Sequence, residues 1–240
     1  MSCGSTVRYW DWSAPLQENN AFGRPPMALF RLCYITDRKG LPAQTGLESG
    51  ALTTRIREGI CSGIDLVQIR EKDLTTRELV ALVQSALEAA RGTPTRVVVN
   101  DRLDVALALG ASGVHLGRQS LEPRLVRRLV PQNFLIGVSC HSLEEARDAE
   151  AAGANYIIFG PVFETPSKLA FGPPLGIEAL REAATNLKLP VLAVGGVTLE
   201  NARECLQAGA SGIAAIRLFQ DCPSVSERVK KVSESFRSGS

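Results

Sequence analysis

The sequence has no C-x-x-C pair: its six cysteines, Cys3, Cys33, Cys61, Cys140, Cys205 and Cys222, are scattered along the chain. Four of them sit inside apolar strand or helix patterns, where a free thiol behaves as a small hydrophobe. That spacing argues against both a disulfide framework and a thiolate metal site, and a reducing, cytoplasmic compartment is expected. An excess of one charge is lacking as well. The formal net charge is +2, too small to suggest nucleic acid or a membrane surface as partner. No apolar run approaches the roughly 20 residues that span a bilayer. The opening Met1-Ser2-Cys3-Gly4 has neither the basic nor the apolar region of a secretory signal.

The content that is there belongs to an ordinary globular protein: 45% hydrophobic and 22% charged over 240 residues, enough for one large α/β domain. Residues 1–26 differ from the rest. They mix Trp10, Trp12, Pro15 and Asn19-Asn20 without period and end in Pro25-Pro26. They read as a disordered N-terminal extension before a domain at 27–240, with Met27 as an alternative start.

From Ala28 onward, short apolar runs alternate with amphipathic segments. Strands are predicted at Leu29–Thr36, Asp65–Arg70, Arg96–Asn100, Gly113–Gly117, Leu135–Cys140, Tyr156–Phe163, Val191–Gly196 and Gly212–Leu218. A helical pattern follows each: Leu47–Ser62, Thr75–Arg91, Arg102–Leu109, Leu121–Val130, Ser142–Ala152, Gly176–Asn186, Leu199–Ala208 and Ser224–Phe236. Continuously apolar strands fit a parallel sheet covered on both faces. Thr75-x-x-Glu78 and Ser142-x-x-Glu145 have the form of capping boxes. The near-repeats beginning Leu109-Gly110, Ala152-Gly153 and Ala208-Gly209 suggest one recurring helix-to-strand corner closed by glycine. Eight units favour a single parallel (β/α)₈ TIM barrel over an open doubly wound sheet.

In a barrel of this kind the site forms where strands end, so the polar residues there carry the functional reading. Alternation places Gln68, Arg70 and Lys72 on one side of the second strand and Ile69 and Glu71 on the other. The first three form either an anion-binding ladder or a solvated charge run. Asn100-Asp101 end the third strand. They serve equally as a heterocycle reader with a Mg²⁺ carboxylate, or as a helix N-cap. On the fifth strand Ser139 can donate to a phosphate, and His141 is either a proton shuttle or a structural residue, as is His115 on the fourth. Thr165, Ser167 and Lys168 place two hydroxyls and an ammonium on one loop, a clamp for a diphosphate, with the stretch through Gly172–Gly176 long enough to act as a lid. Gly195-Gly196 let backbone N–H groups approach a phosphate.

These segments together resemble the thiamine phosphate synthase/TenI superfamily. The similarity runs from about Leu32 to Phe219. It rests on Gln68-Ile-Arg70-Glu-Lys72, Asn100-Asp101-Arg102, Gly113-Val-His115-Leu-Gly117, Ile136-Gly-Val-Ser139-Cys-His141-Ser142, Gly160-Pro161-Val-Phe-Glu-Thr165-Pro-Ser167-Lys168 and Val194-Gly195-Gly196-Val197-Thr198. The resemblance implies a transferase that joins a hydroxymethylpyrimidine diphosphate to a thiazole phosphate. Gln68, Arg70, Lys72 and Asn100 would face the pyrimidine diphosphate, and Asp101 would hold Mg²⁺. Ser139 and Lys168 would grip the diphosphate. Thr165 and Ser167 would hold the thiazole phosphate, with Gly196 and the Ile216-Arg217 tip. A homo-oligomer is also compatible with it.

Two departures stand out. Synthases carry a second Mg²⁺-binding Asp after the fourth strand, where this chain has Ser120 in Gly117-Arg118-Gln119-Ser120; Arg118 would partly replace the metal's charge. The eighth strand usually ends Ile-Ser, and here it ends Ile216-Arg217, where Arg217 would either reach the thiazole phosphate or crowd it. These departures leave open a TenI-type thiazole tautomerase using His141 without a metal. They also leave open a non-catalytic regulator that binds thiazole or thiamine phosphates.

Overall fold

The computed structural model describes residues 31–41, 48–165 and 173–237; the expected extension, the alternative start at Met27, and Ser167 and Lys168 lie outside them. Eight short strands form the frame: β1 (Leu32–Ile35), β2 (Leu66–Ile69), β3 (Arg96–Asn100), β4 (Gly113–Leu116), β5 (Leu135–Cys140), β6 (Tyr156–Phe159), β7 (Val191–Val194) and β8 (Gly212–Ala215). Each pairs in parallel with the next, and β1 pairs with β8, so the sheet closes as a barrel in sequence order. The expected (β/α)₈ barrel is the fold.

Between strands run α1 (Glu48–Cys61), α2 (Thr76–Ala90), α3 (Leu103–Ala108), α4 (Pro123–Leu129), α5 (Leu143–Ala151), α6 (Gly176–Asn186) and α7 (Ala202–Gln207); a short α8 (Arg217–Gln220) and then α9 (Val225–Arg237) follow β8. Thr75 forms the complete capping box with Glu78. Ser142 accepts from the Glu145 N–H, but the Glu145 carboxylate reaches past the cap to the backbone N–H of His141 at 2.7 Å. At the recurring corner, Gly110, Gly153 and Gly209 take φ of 66°, 92° and 96°, a left-handed turn that stops each helix. The residue two further on then donates to the preceding strand: Ser112 to Val97, Asn155 to Ile136 and Ser211 to Val191.

Three strands end two or more residues earlier than expected. β6 stops at Phe159 because Pro161 has no N–H for the ladder. The chain rejoins β7 beyond it, with Val162 N–H donating to Val194 and Phe163 N–H to Gly195. β7 stops at Val194 before two left-handed glycines. The expected tail of the eighth strand is instead α8, whose apolar Leu218 and Phe219 are buried as helix residues.

Two apolar layers result. Outside the sheet, helices pack on side chains such as Val67, Ile69, Val97, Val99, Val114 and Ile136. Inside it, Cys33, Ile35, Leu66, Val98, Tyr156, Ile158, Leu192 and Ala214 fill the barrel. The buried thiols of Cys33, Cys140, Cys205 and Cys222 are packing residues, and burial pushes the Cys140 thiol up to about 12. No helix among the described residues is long and apolar enough to cross a membrane.

Gly137 makes room inside the barrel. A Cβ there would lie 2.1 Å from Tyr156 Cζ and 2.6 Å from His115 Nδ1. Gly137→Ala should therefore destabilise the fold by about 1–3 kcal/mol, as overpacking does. Urea unfolding at neutral pH reads the change, and an unaltered midpoint would contradict it.

Candidate active site at the strand ends

Because all strands run parallel, their C-terminal residues share one rim, and the period of two sets which of them look into the barrel. The ladder register aligns Gln68 with Val98, Asn100 with His115, His115 with Gly137, and Ser139 with Ile158. Gln68, Asn100, His115 and Ser139 thus form one inward arc over four neighbouring strands.

Gln68 is 2% exposed. Its Nε2 donates to Asn100 Oδ1 at 2.9 Å, and Asn100 Nδ2 donates in turn to Asp101 Oδ2 at 2.6 Å. Gln68 Oε1 is buried without a hydrogen-bond partner. An unmatched buried acceptor costs about 1–3 kcal/mol, which makes it a place for a ligand's donor. Asp101 is not a helix cap: it has φ of 60°, the left-handed region that Asp tolerates better than most residues. Its backbone N–H donates to His115 O at 2.9 Å, holding the carboxylate at the rim.

The hydroxyl of Ser120 donates to Asp101 Oδ1 and also accepts from the Gly117 N–H at 2.6 Å. The residue in the expected second-Asp position therefore caps the first one. Among the described residues no group of three His, Cys, Asp or Glu side chains is placed to hold a metal ion. One carboxylate with hydroxyl and amide oxygens is still a hard donor set. It fits a Mg²⁺ ion whose remaining ligands are substrate phosphates and water.

His115 is 1% exposed, with Nδ1 3.2 Å from Tyr156 Oη and Nε2 2.8 Å from Ser139 Oγ. Burial first, then the nearby Arg70 cation, lower its pKa to about 3 against the pull of Asp101. It is neutral at physiological pH. His141, half-buried at the next rim position, has Nδ1 3.4 Å from Glu145 Oε2. Arg118 reaches the same carboxylate, its Nη2 3.4 Å from Glu145 Oε1, and so points away from Asp101.

Across the rim, Arg217 Nη2 donates to the buried Thr165 Oγ1 at 3.0 Å, joining the loop after β6 to the start of α8. Ile216, half-buried, caps α8 and packs on the inner layer. Gly195 and Gly196 have φ of 92° and 65°, and a Cβ on Gly196 would lie 2.4 Å from Glu164 O. Asn201 Nδ2 fixes that turn by donating to Gly196 O at 2.9 Å.

The cations at the rim divide into two kinds. Arg38 pairs with Asp73, and Lys39 joins the same carboxylate, holding Asp73 well below the usual carboxylate range. Arg70, half-buried, and Lys72, exposed, make no side-chain hydrogen bond or ion pair among the described residues. Strand alternation does not extend to Lys72: β2 ends at Ile69, and Lys72 stands in a turn. That turn is pinned on both sides. The buried Glu71 carboxylate accepts from Arg38 N–H at 3.1 Å, and Asp73 takes two bonds from the Arg38 guanidinium.

Supporting residues that the motif reading passed over include Glu71 and Arg38. Thr36 is another, its Oγ1 accepting from the Arg70 N–H at 2.9 Å. Gln220 ties α8 to Asp37 by two bonds of 2.9 and 2.7 Å. The one signal for Gln220 is its place directly after the apolar Leu218-Phe219 pair.

The sequence profile described as Thiamine monophosphate synthase matches residues 33–219. The chain belongs to the thiamine monophosphate synthase family. Among its relatives, the thiamine-phosphate synthase of Roseiflexus sp. (strain RS-1) is 42% identical over 189 residues, 79% of this chain and 78% of that protein. The thiamine-phosphate synthase of Methanocella arvoryzae is 39% identical over 207 residues, 85% of this chain and 95% of that one. The solved thiamine phosphate pyrophosphorylase from Pyrococcus furiosus superposes with a TM-score of 0.76 at 33% identity, covering 88% of this chain and 96% of that one. In this member of the thiamine monophosphate synthase family, the matched region takes in every residue named above for the site except Gln220, which follows its last position.

His115 makes stability pH-dependent. An unfolded imidazole titrates near its ordinary 6.5, the folded one near 3, so below about 6.5 the unfolded chain binds the extra proton. The stabilisation is complete above that pH and is lost as pH falls towards 3, by up to ~1.4 kcal/mol per unit. Wild type should therefore lose its stability advantage over His115→Gln at about that rate between pH 6.5 and roughly 4.5. A constant offset in urea unfolding across this range would contradict it.

Proposed function

We propose that this chain condenses 4-amino-5-hydroxymethyl-2-methylpyrimidine diphosphate with a thiazole phosphate, releasing diphosphate and forming thiamine phosphate. The observation that carries the reading is the juxtaposition on β2 and its turn. Arg70 and Lys72 lack a counter-ion among the described residues, and Gln68 beside them keeps a buried, unmatched carbonyl. Such a face suits an anion attached to a ring that donates hydrogen bonds. Its substrates are phosphorylated small molecules, and it acts in the cytoplasm.

In this reading Gln68 and Asn100 orient the pyrimidine, while Arg70, Lys72, Ser139 and Lys168 take the diphosphate. As the bond to the diphosphate breaks, the electron-rich ring stabilises the pyrimidinylmethyl cation, and the thiazole nitrogen captures it. Thr165, Ser167, Gly195, Gly196, Ile216 and Arg217 hold the thiazole phosphate; the Arg217 guanidinium already stands beside Thr165. Catalysis consists of positioning and of charge stabilisation on the leaving group. Asp101 would hold Mg²⁺, which when bound neutralises diphosphate charge. With Ser120 rather than a second carboxylate beside Asp101, phosphate oxygens of the substrate would have to supply most of the remaining ligands.

Purified protein with both substrates and Mg²⁺ is expected to form thiamine phosphate, and chelation of the metal to abolish it. Arg70→Ala and Lys168→Ala should each lower kcat/KM by on the order of 10²-fold. No product at saturating substrates and Mg²⁺ would overturn the proposal. Tight binding without turnover would then mark a non-catalytic phosphate binder.

A second reading is favoured by His141, an imidazole at the rim held against Glu145: proton transfer on a thiazole carboxylate phosphate, as in a TenI-type tautomerase. It predicts that His141→Ala abolishes substrate proton exchange measured by NMR, and wild-type exchange in that variant would end it.

A further inference from the structure

Beneath the rim, three side chains from adjacent strands form a polar column, and the inference drawn from it rests on the synthase reading above. Tyr156 Oη on β6, fully buried, lies 3.2 Å from His115 Nδ1 on β4. His115 Nε2 lies 2.8 Å from Ser139 Oγ on β5, which is half-buried and lies towards the rim. The column passes over Gly137, where any side chain would block it.

Two proton arrangements satisfy these distances. In the first, the phenol donates to Nδ1, the imidazole carries its proton on Nε2, and Ser139 Oγ accepts from it. Ser139 then keeps its own proton for a partner at the rim. In the second, Nδ1 donates to the phenol and Nε2 accepts from Ser139, which would then show only lone pairs to whatever binds above. A phenol is the more acidic of the two donors, so it gives its hydrogen to an imidazole nitrogen. Against a diphosphate the difference is one of sign: a hydroxyl proton attracts the anion, whereas lone pairs repel it.

We propose that His115 is a positioning residue whose Nε2–H holds the Ser139 oxygen and so turns the Ser139 proton towards the diphosphate. Tyr156 sets this by occupying Nδ1. Ser139 makes the contact, and His115 acts through it.

The chain contains two histidines, so isotope-labelled imidazole nitrogens can be assigned with the His141→Gln variant. Nitrogen NMR of the free protein is expected to find His115 protonated at Nε2 and bare at Nδ1. The reverse pattern overturns the proposal whether or not the protein turns over substrate.

Calorimetry with inorganic pyrophosphate and Mg²⁺ supplies the second readout. His115→Leu and Ser139→Ala should each weaken binding about tenfold, as one lost hydrogen bond to a charged group would. His115→Gln, whose amide N–H reaches the same oxygen, should recover most of that loss. His115→Leu should add nothing once Ser139 is alanine. An undiminished effect of His115→Leu in the Ser139→Ala background overturns the proposal. Absence of thiamine phosphate formation with this binding pattern intact would sink the synthase reading alone.

Discussion

Closing eight parallel strands into one ladder sends every C-terminal strand end to the same rim, and the rest of the molecule depends on that constraint. Residues far apart in sequence become neighbours because their strands are hydrogen-bonded in register: Asn100 beside His115, and His115 beside Gly137. The interior beneath the rim is filled by buried side chains, so a polar group placed there needs a partner. The arc from Gln68 through Asn100 to Asp101, and the column from Tyr156 through His115 to Ser139, are the outcome. The one break in the arc is Gln68 Oε1, buried without a hydrogen-bond partner.

Much of this was legible in the residues. The continuously apolar strands and the glycine corners determine a covered parallel sheet, and the barrel follows from their number. The inward set on β2 and β3 follows from alternation alone. Alternation fails where the ladder ends: Lys72 owes its position to Glu71 and Asp73 bonded to Arg38, contacts made across 33 and 35 residues that no local pattern encodes. The eighth strand was read too long because Leu218 and Phe219 are apolar in either conformation. Only the buried pairing of Gln220 with Asp37 shows why the chain turns helical there. Ser142-x-x-Glu145 has the letters of a capping box, yet its glutamate serves His141 instead.

His115 illustrates the same limit. One letter cannot separate a ligand-binding imidazole from one packed in a core, and the structure gives it both neighbours at once: a phenol deep in the barrel and a hydroxyl at the rim. Arg118 is the converse case. Its place beside Ser120 suggested a substitute for metal charge, but the guanidinium turns to Glu145. The exposed guanidinium meets its counter-charge on the outer surface instead.

The backbone at Asp101 restricts which acid can stand there. A residue held at φ of 60° favours short side chains that bond back to their own main chain, and it disfavours the longer glutamate. Replacement by glutamate would therefore lengthen the carboxylate arm only at the cost of backbone strain. The side chains that touch that carboxylate are those of Ser120 and Asn100, so any tuning of a cation held there would have to come from those two positions.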